Sequence, residues 1–183
     1  HKISIKEDIQ STNFIKQLEQ VKAKQKKNRS NQRRALNKNK NIYYYSGEGH
    51  FIDNYTLEVG GKKITGDKIF LANGTRPSVP NIKGLKNVNY LTNESILDLK
   101  QKPNSIIIIG GGYISLEYAH ILSASDIKVT ILESRNKLIS HLDPEISNLL
   151  EQEVRKFADL YLGTSAREVL SEKDVSVIAD KNG

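Results

Sequence analysis

Ser105-Ile106-Ile107-Ile108-Ile109-Gly110-Gly111-Gly112-Tyr113-Ile114-Ser115-Leu116-Glu117 is the stretch on which the fold turns. Its isoleucine run suits a short strand buried on both faces. A glycine turn follows at once, then a helical stretch from Tyr113 to about Ser123. A second apolar strand, Lys128 to Leu132, closes the unit on Glu133. Strand, glycine turn, helix, strand and acid is the order in which a parallel α/β unit holds a dinucleotide.

Each part has a physical reason. Gly110 permits the tight turn out of the strand, and Gly112 lets the backbone approach a pyrophosphate. The helix starting at Tyr113 aims free N–H groups and a positive dipole end at that anion. Glu133 lies 23 residues after Gly110, near the roughly 20 expected for an acid that binds an adenosine ribose. The third glycine of the usual pattern is replaced by Ser115, which predicts slightly looser helix–strand packing. A bare strand-to-helix turn without a ligand is the plainer explanation, but the full context outweighs it. Glu133 favours NAD, because a carboxylate repels a 2′-phosphate. Arg135 partly offsets this and keeps NADP open.

Outside this unit the charge is uneven. The chain has 28 basic and 21 acidic residues, for a net charge of +7. Residues 1–76 hold 16 basic and 7 acidic residues, whereas 77–183 hold 12 and 14. The stretch from Lys22 to Lys40 has nine Lys or Arg and no acid. A solvated helix face explains it; nucleic-acid binding would ask for interleaved aromatics, and none precedes Tyr43. No apolar stretch approaches the ~20 residues of a membrane span, and no secretory signal is visible, so a cytoplasmic protein without a membrane partner is expected. With no cysteine there is no disulfide, thiol chemistry or thiolate metal site in this chain. The absence of methionine and the start at His1 predict a fragment.

Residues 5–37 read as helix, with Ile15, Leu18 and Val21 on one face. From Ile42 the period changes to two. Ile42–Tyr45 and His50–Ile52 are expected as short strands, and Tyr55–Val59, Gly60-Gly61 and Lys62–Thr65 as a hairpin. Lys68–Ala72 is expected as a buried strand. Pro77, Pro80 and Pro103 mark a connector, with a short helix from Thr92 to Leu99. Asp143 is a helix N-cap with Pro144 in the first turn, and that helix should run to about Phe157. Leu160–Leu162 and Val175–Ile178 are further strands.

Several segments, in order and spacing, resemble the flavin-dependent pyridine nucleotide–disulfide oxidoreductases, on the side of dihydrolipoamide dehydrogenase and mercuric reductase. They are Gly47-Glu48-Gly49-His50-Phe51, Ala72-Asn73-Gly74-Thr75-Arg76-Pro77, Tyr90-Leu91-Thr92-Asn93, Gly110 to Glu117, and Asp143-Pro144-Glu145. The resemblance covers nearly the whole chain. It implies part of an FAD-binding domain at 1–76, a connector at 77–102 and a truncated Rossmann-type NAD(P)-binding domain at 103–183. It also implies that Gly49, Asn73, Gly74 and Thr75 contact FAD, with Asn73 replacing the usual threonine. Gly110, Gly111, Gly112, Tyr113, Ile114, Ser115 and Glu117 match the NAD loop and helix start, Glu133 the ribose acid, and Ala166 a backbone contact to adenine. Tyr113 and Glu117, four residues apart on one helix face, match residues beside the nicotinamide and flavin. For each of the two the plainer role is structural: a packing aromatic and a helix carboxylate.

The resemblance further implies hydride transfer from NAD(P)H to FAD and on to a disulfide or related acceptor, a small molecule or a protein. It implies a homodimer made through a C-terminal domain not present here. The redox-active cysteine pair, the first FAD glycine loop and the catalytic His-Glu pair are absent, so this chain alone is expected to be inactive. An NAD-binding sensor without redox chemistry is the alternative that the residues leave open.

Overall fold

The computed structural model describes residues 14–171 and 174–181. The expected helical residues 5–13 lie outside that range. The chain divides into two compact units, Val21–Arg76 and a second one made of residues up to Gln20 together with Pro77–Gly183. Helix α1, Phe14–Lys38, is shared between them.

The second unit holds the core. Strands β4 (Ser105–Ile109), β5 (Lys128–Leu132) and β6 (Asp159–Tyr161) form a parallel sheet ordered β4-β5-β6. Helix α2, Tyr113–Ser123, makes the crossover from β4 to β5, and α3, Pro144–Val154, the crossover from β5 to β6. Such parallel pairs need helical crossovers, which fixes the α/β class expected from the sequence. The core joins Leu116, Ala119 and Leu122 of α2 to Val129 and Ile131 of β5, and to Leu138, Val154 and Leu160. Helix α2 closes through Asp126 in the left-handed region (φ 57°), with Ile127 N–H donating back to Leu122 C=O. As expected, Asp143 caps α3 by accepting from Glu145 N–H, with Pro144 in the first turn. The helix ends at Val154, short of the expected Phe157.

The expectation that β4 is buried on both faces fails. Ile106 and Ile108 pack on the core, while Ile107 and Ile109 are more than a third exposed. The same open face continues on the central strand β5, where Lys128 is exposed and Thr130 half-buried opposite Ser105 and Ile107. Strand β7 (Thr164–Ser171) was not foreseen; it pairs antiparallel with β8 (Val175–Lys181). Residues 77–102 contain two 3₁₀ turns, Leu85–Asn87 and Ser95–Asp98, with Leu85 and Ile96 buried. Lys83 C=O accepts from Val169 N–H (2.8 Å), and Lys83 Nζ pairs with Glu168 at 2.8 Å. Gly84 is obligatory at this crossing, since its φ is +77° and a Cβ would overlap the Val169 carbonyl oxygen.

In the Val21–Arg76 unit, β1 (Gly49–Asp53), β2 (Thr56–Val59) and β3 (Lys62–Thr65) form the expected antiparallel meander, turning at Gly60 and Gly61. Two expectations fail here. Ile42–Tyr45 and Lys68–Ala72 are not strands, and Phe70 and Leu71 are 88% and 72% exposed. An apolar run becomes a strand only beside another strand, and among the described residues none pairs with these segments. Val21, expected on the apolar face of α1, is also exposed, so the buried stripe is limited to Phe14 and Leu18.

Candidate functional site

The glycine turn sits at the carboxyl end of β4. Gly110 leaves the strand with φ +106°, which only glycine adopts readily, while its N–H still donates to Leu132 C=O of β5 (2.8 Å). Gly112 is the extended N-cap of α2 and supplies no side-chain cap. The first helical bond runs from Leu116 N–H to Gly112 C=O (3.1 Å). The N–H groups of the first turn therefore point out of the helix start. A Cβ on Gly112 would meet nothing within 4 Å beyond its two chain neighbours. The space beside that residue is open, as a pyrophosphate requires.

Gly111 has a different reason to be glycine. A Cβ there would lie 2.6 Å from Leu138 Cδ2 and 3.0 Å from Glu133 Oε2. Gly111, expected in the NAD loop, is thus also packed against the protein on its Cα side. Ser115 Oγ lies 3.9 Å from where a Cβ on Gly110 would be, so the serine fits at the turn where a glycine was expected.

Glu133 follows β5 and turns its carboxylate back to the turn. Oε2 accepts from Gly111 N–H at 2.6 Å. Oε1 accepts from Arg135 N–H at 2.7 Å and from Ser134 Oγ at 3.3 Å. Charge-assisted bonds at these distances fix the carboxylate's orientation, yet a carboxylate offers about four lone-pair sites, so acceptor capacity remains. The Arg135 guanidinium is held by Ser140 Oγ. Thr164 N–H donates to Glu133 C=O (2.8 Å), which brings the start of β7 alongside the acid. Ala166 follows two residues later, pairing with Ala179 just before a bulge at Arg167.

Tyr113 and Glu117 are both exposed on α2. The Tyr113 phenol meets His141 Nε2 at 3.2 Å, with the two rings edge to face. His141 was not singled out by sequence reasoning, and nothing in its local pattern marks it. Leu138 was also passed over, although an apolar residue directly after the polar run Ser134–Lys137 was a usable signal. Tyr118 donates to Asn93 C=O (2.8 Å). Burial, and then the neighbouring Glu117 charge, push its pKa above the ordinary phenol value.

The positions assigned to flavin lie in the Val21–Arg76 unit and are exposed. Gly49 opens β1, and a Cβ there would press on Val59 at 3.2 Å, so hairpin packing alone accounts for it. Asn73 bonds the adjacent Gly74 C=O, and Gly74 is left-handed with open space around it. Among the described residues there is no cluster of metal ligands, and no helix is long and apolar enough to cross a membrane.

The parallel sheet, the glycine turn at the end of β4 and the acid at the end of β5 define a Rossmann-type α/β domain. The chain belongs to the pyridine nucleotide-disulphide oxidoreductase family, whose pattern matches residues 3–183. It is 34% identical over 139 residues to mercuric reductase of Staphylococcus aureus, covering 75% of this chain and 25% of that protein. It is 36% identical over 118 residues to soluble pyridine nucleotide transhydrogenase of Mycobacterium tuberculosis, covering 61% and 25%. The HOCl-induced flavoprotein disulfide reductase RclA of Escherichia coli superposes with a TM-score of 0.72 at 29% identity, over 95% of this chain and 43% of that one. The chain thus spans about a quarter of the length of these curated relatives. The family expected from the sequence motifs is borne out.

Proposed function

We propose that this chain is the central part of an NAD(P)-dependent flavoprotein oxidoreductase that passes reducing equivalents from NAD(P)H through FAD to a disulfide or related acceptor. The observation that carries this reading is the glycine turn: Gly112 is open, the first turn of α2 is uncapped, and the Glu133 carboxylate is fixed beside it. The N–H groups of Tyr113, Ile114 and Ser115 bind the pyrophosphate, with Gly110 and Gly112 shaping the approach. Gly111 and Leu138 brace Glu133, which accepts from the adenosine ribose. The Ala166 backbone borders the adenine. Tyr113 and Glu117 flank the route towards the nicotinamide.

Residues 103–183 then serve as the NAD(P)-binding part and residues 1–76 as part of an FAD-binding domain, with Gly49, Asn73, Gly74 and Thr75 on its flavin side. Bound flavin supplies the two-electron chemistry, and the residues of this chain supply orientation. Family likeness supports a homodimer and a cytoplasmic location. A carboxylate on the ribose supports NADH over NADPH.

Titration of the intact flavoprotein with both nucleotides tests the reading. Glu133→Ala should weaken NADH binding and narrow its advantage over NADPH. Gly112→Val should weaken both by more than about tenfold, because a branched side chain fills the open space, while bound flavin stays stoichiometric. Equal affinity for NADH and NADPH in the unmutated protein would overturn the assignment of Glu133. Unchanged affinity in Gly112→Val would remove the dinucleotide from this turn.

A further inference from the structure

Helix α1 carries Lys22, Lys26, Arg29 and Arg33 at i, i+4, i+7 and i+11, so the four cations form one stripe along the helix. At a rise of about 1.5 Å per residue the stripe is roughly 16 Å long. It ends against aromatic rings. After the helix, Asn39 N–H donates to Leu36 C=O and Ile42 N–H to Asn39 C=O, which turns the chain back on itself. Arg33 Nη2 donates to Ser46 Oγ at 2.6 Å, and its guanidinium carbon is 5.8 Å from the Tyr44 ring centroid. Lys62 Nζ lies 5.8 Å from the Tyr45 ring centroid. The interleaving of cations and aromatics that the sequence order lacks is thus made in space. Tyr43, next in the chain to these rings, is 84% exposed.

Residues 21–76 hold 13 Lys or Arg against four Asp or Glu. Among the described residues no carboxylate pairs with Lys26, Arg29 or Arg33. We propose that this face binds single-stranded nucleic acid: Lys22, Lys26, Arg29 and Arg33 follow the phosphates, while the Tyr43 and Tyr44 rings stack on bases. Charge selects a polyanion, and the rings select one whose base faces are free. A duplex keeps its bases stacked inside and offers the rings nothing. An anionic membrane would need an apolar helix face to enter it. After Val21 the only apolar residues of α1 are Ala23, Ala35 and Leu36, and Leu36 is half-buried. Backbone contacts and stacking read no base edges, so little sequence preference is expected. The surface shares no residue with the glycine turn, so it stands or falls apart from the dinucleotide reading.

Fluorescence anisotropy of the intact protein, titrated against a labelled oligothymidylate, tests it. Affinity should fall with salt at a logarithmic slope of about −3, for about four phosphates at about 0.7 each. Replacing Lys26 and Arg29 together by alanine should cut that slope by about half. Tyr43→Ala should weaken binding about five- to a hundredfold, the worth of one stacked base, with the slope kept. Tyr43→Phe, which keeps the ring, should bind as the unmutated protein does. Tm should not move in any of these variants, since Lys26, Arg29 and Tyr43 are all exposed. No binding at low salt would overturn the proposal. So would a duplex bound as tightly as the single strand, or full affinity in Tyr43→Ala, because either result leaves a charged face without stacking. Sedimentation with phosphatidylserine vesicles, without binding to the oligonucleotide, would overturn it in favour of a membrane surface.

Discussion

The Val21–Arg76 unit and the unit that carries the parallel sheet obey the same local rules, yet only one of them buries anything. No residue from Val21 to Arg76 is buried, whereas Ile131, Leu138 and Ala119 of the sheet unit are 0% exposed. The meander forms because its turn and alternation are locally sufficient: Gly60 and Gly61 take positive φ, and Leu57 pairs with Ile64. It does not follow that the meander is stable, since a small antiparallel sheet needs something to pack against. The sheet unit has that, because each parallel strand is returned by a helix that covers it. Secondary structure and stability are therefore separate readings of one chain.

The largest expected effect is in hydrogen exchange. Amides of β5, bonded to neighbours on both sides and lying in the core, should exchange at least about a hundredfold more slowly than those of β2 and β3 in the same sample, because opening energies run from near zero to the global value. Equal protection in the two units would mean that the meander is stabilised in a way its exposure does not reveal.

Side-chain truncation sharpens the contrast. Ile131→Ala removes a fully buried side chain between β4 and β6. It should cost about 2–5 kcal/mol, from lost transfer energy plus the cavity left behind. Phe70→Ala deletes a larger side chain that is 88% exposed, and should stay within about 0.5 kcal/mol. Urea denaturation of the two variants checks both figures. A large cost at Phe70 would show that this apolar segment is covered in solution.

The same contrast explains what could be read from the sequence. The parallel unit was legible because its signals are local and mutually consistent: four isoleucines, a glycine turn, a helix of the right length and a second strand ending on an acid. The bounds of α2 and β5 agree with the reading from the residues. Lys68–Ala72 misled because hydrophobicity reports a wish for burial, and burial depends on residues elsewhere. Strand β7 escaped because Ala166, Arg167 and Glu168 show no clean alternation, and its bulge at Arg167 breaks the period. At the site, Glu133 and the outer glycines were visible by spacing. The path of residues 134–142 was not, because its contacts join residues 28 apart in the chain, as in Gly111 with Ile139 and Tyr113 with His141.

The smallest effect concerns Tyr118, which ties the connector to α2 through Asn93 C=O. Burial, followed by the Glu117 charge, raises its pKa in the folded protein above the ordinary phenol value. Unfolded chains therefore lose the proton first as pH rises, and the folded state binds more protons over that interval. Stability from this group is complete below about pH 10, the ordinary value, and is lost as pH climbs through the raised folded value. Only the neutral phenol can donate to the carbonyl, which gives the loss its structural cause. Tyr118→Phe should lower Tm slightly at neutral pH, by the worth of one partly exposed hydrogen bond at about 0.5–1.5 kcal/mol. Its Tm should then fall less steeply than that of the unmodified chain between about pH 9 and 11. The difference between the two curves isolates Tyr118 from the other seven tyrosines of the chain. Parallel curves across that range would mean that the phenol titrates alike in the folded and unfolded chain, and that its bond to Asn93 contributes nothing to the alkaline limit.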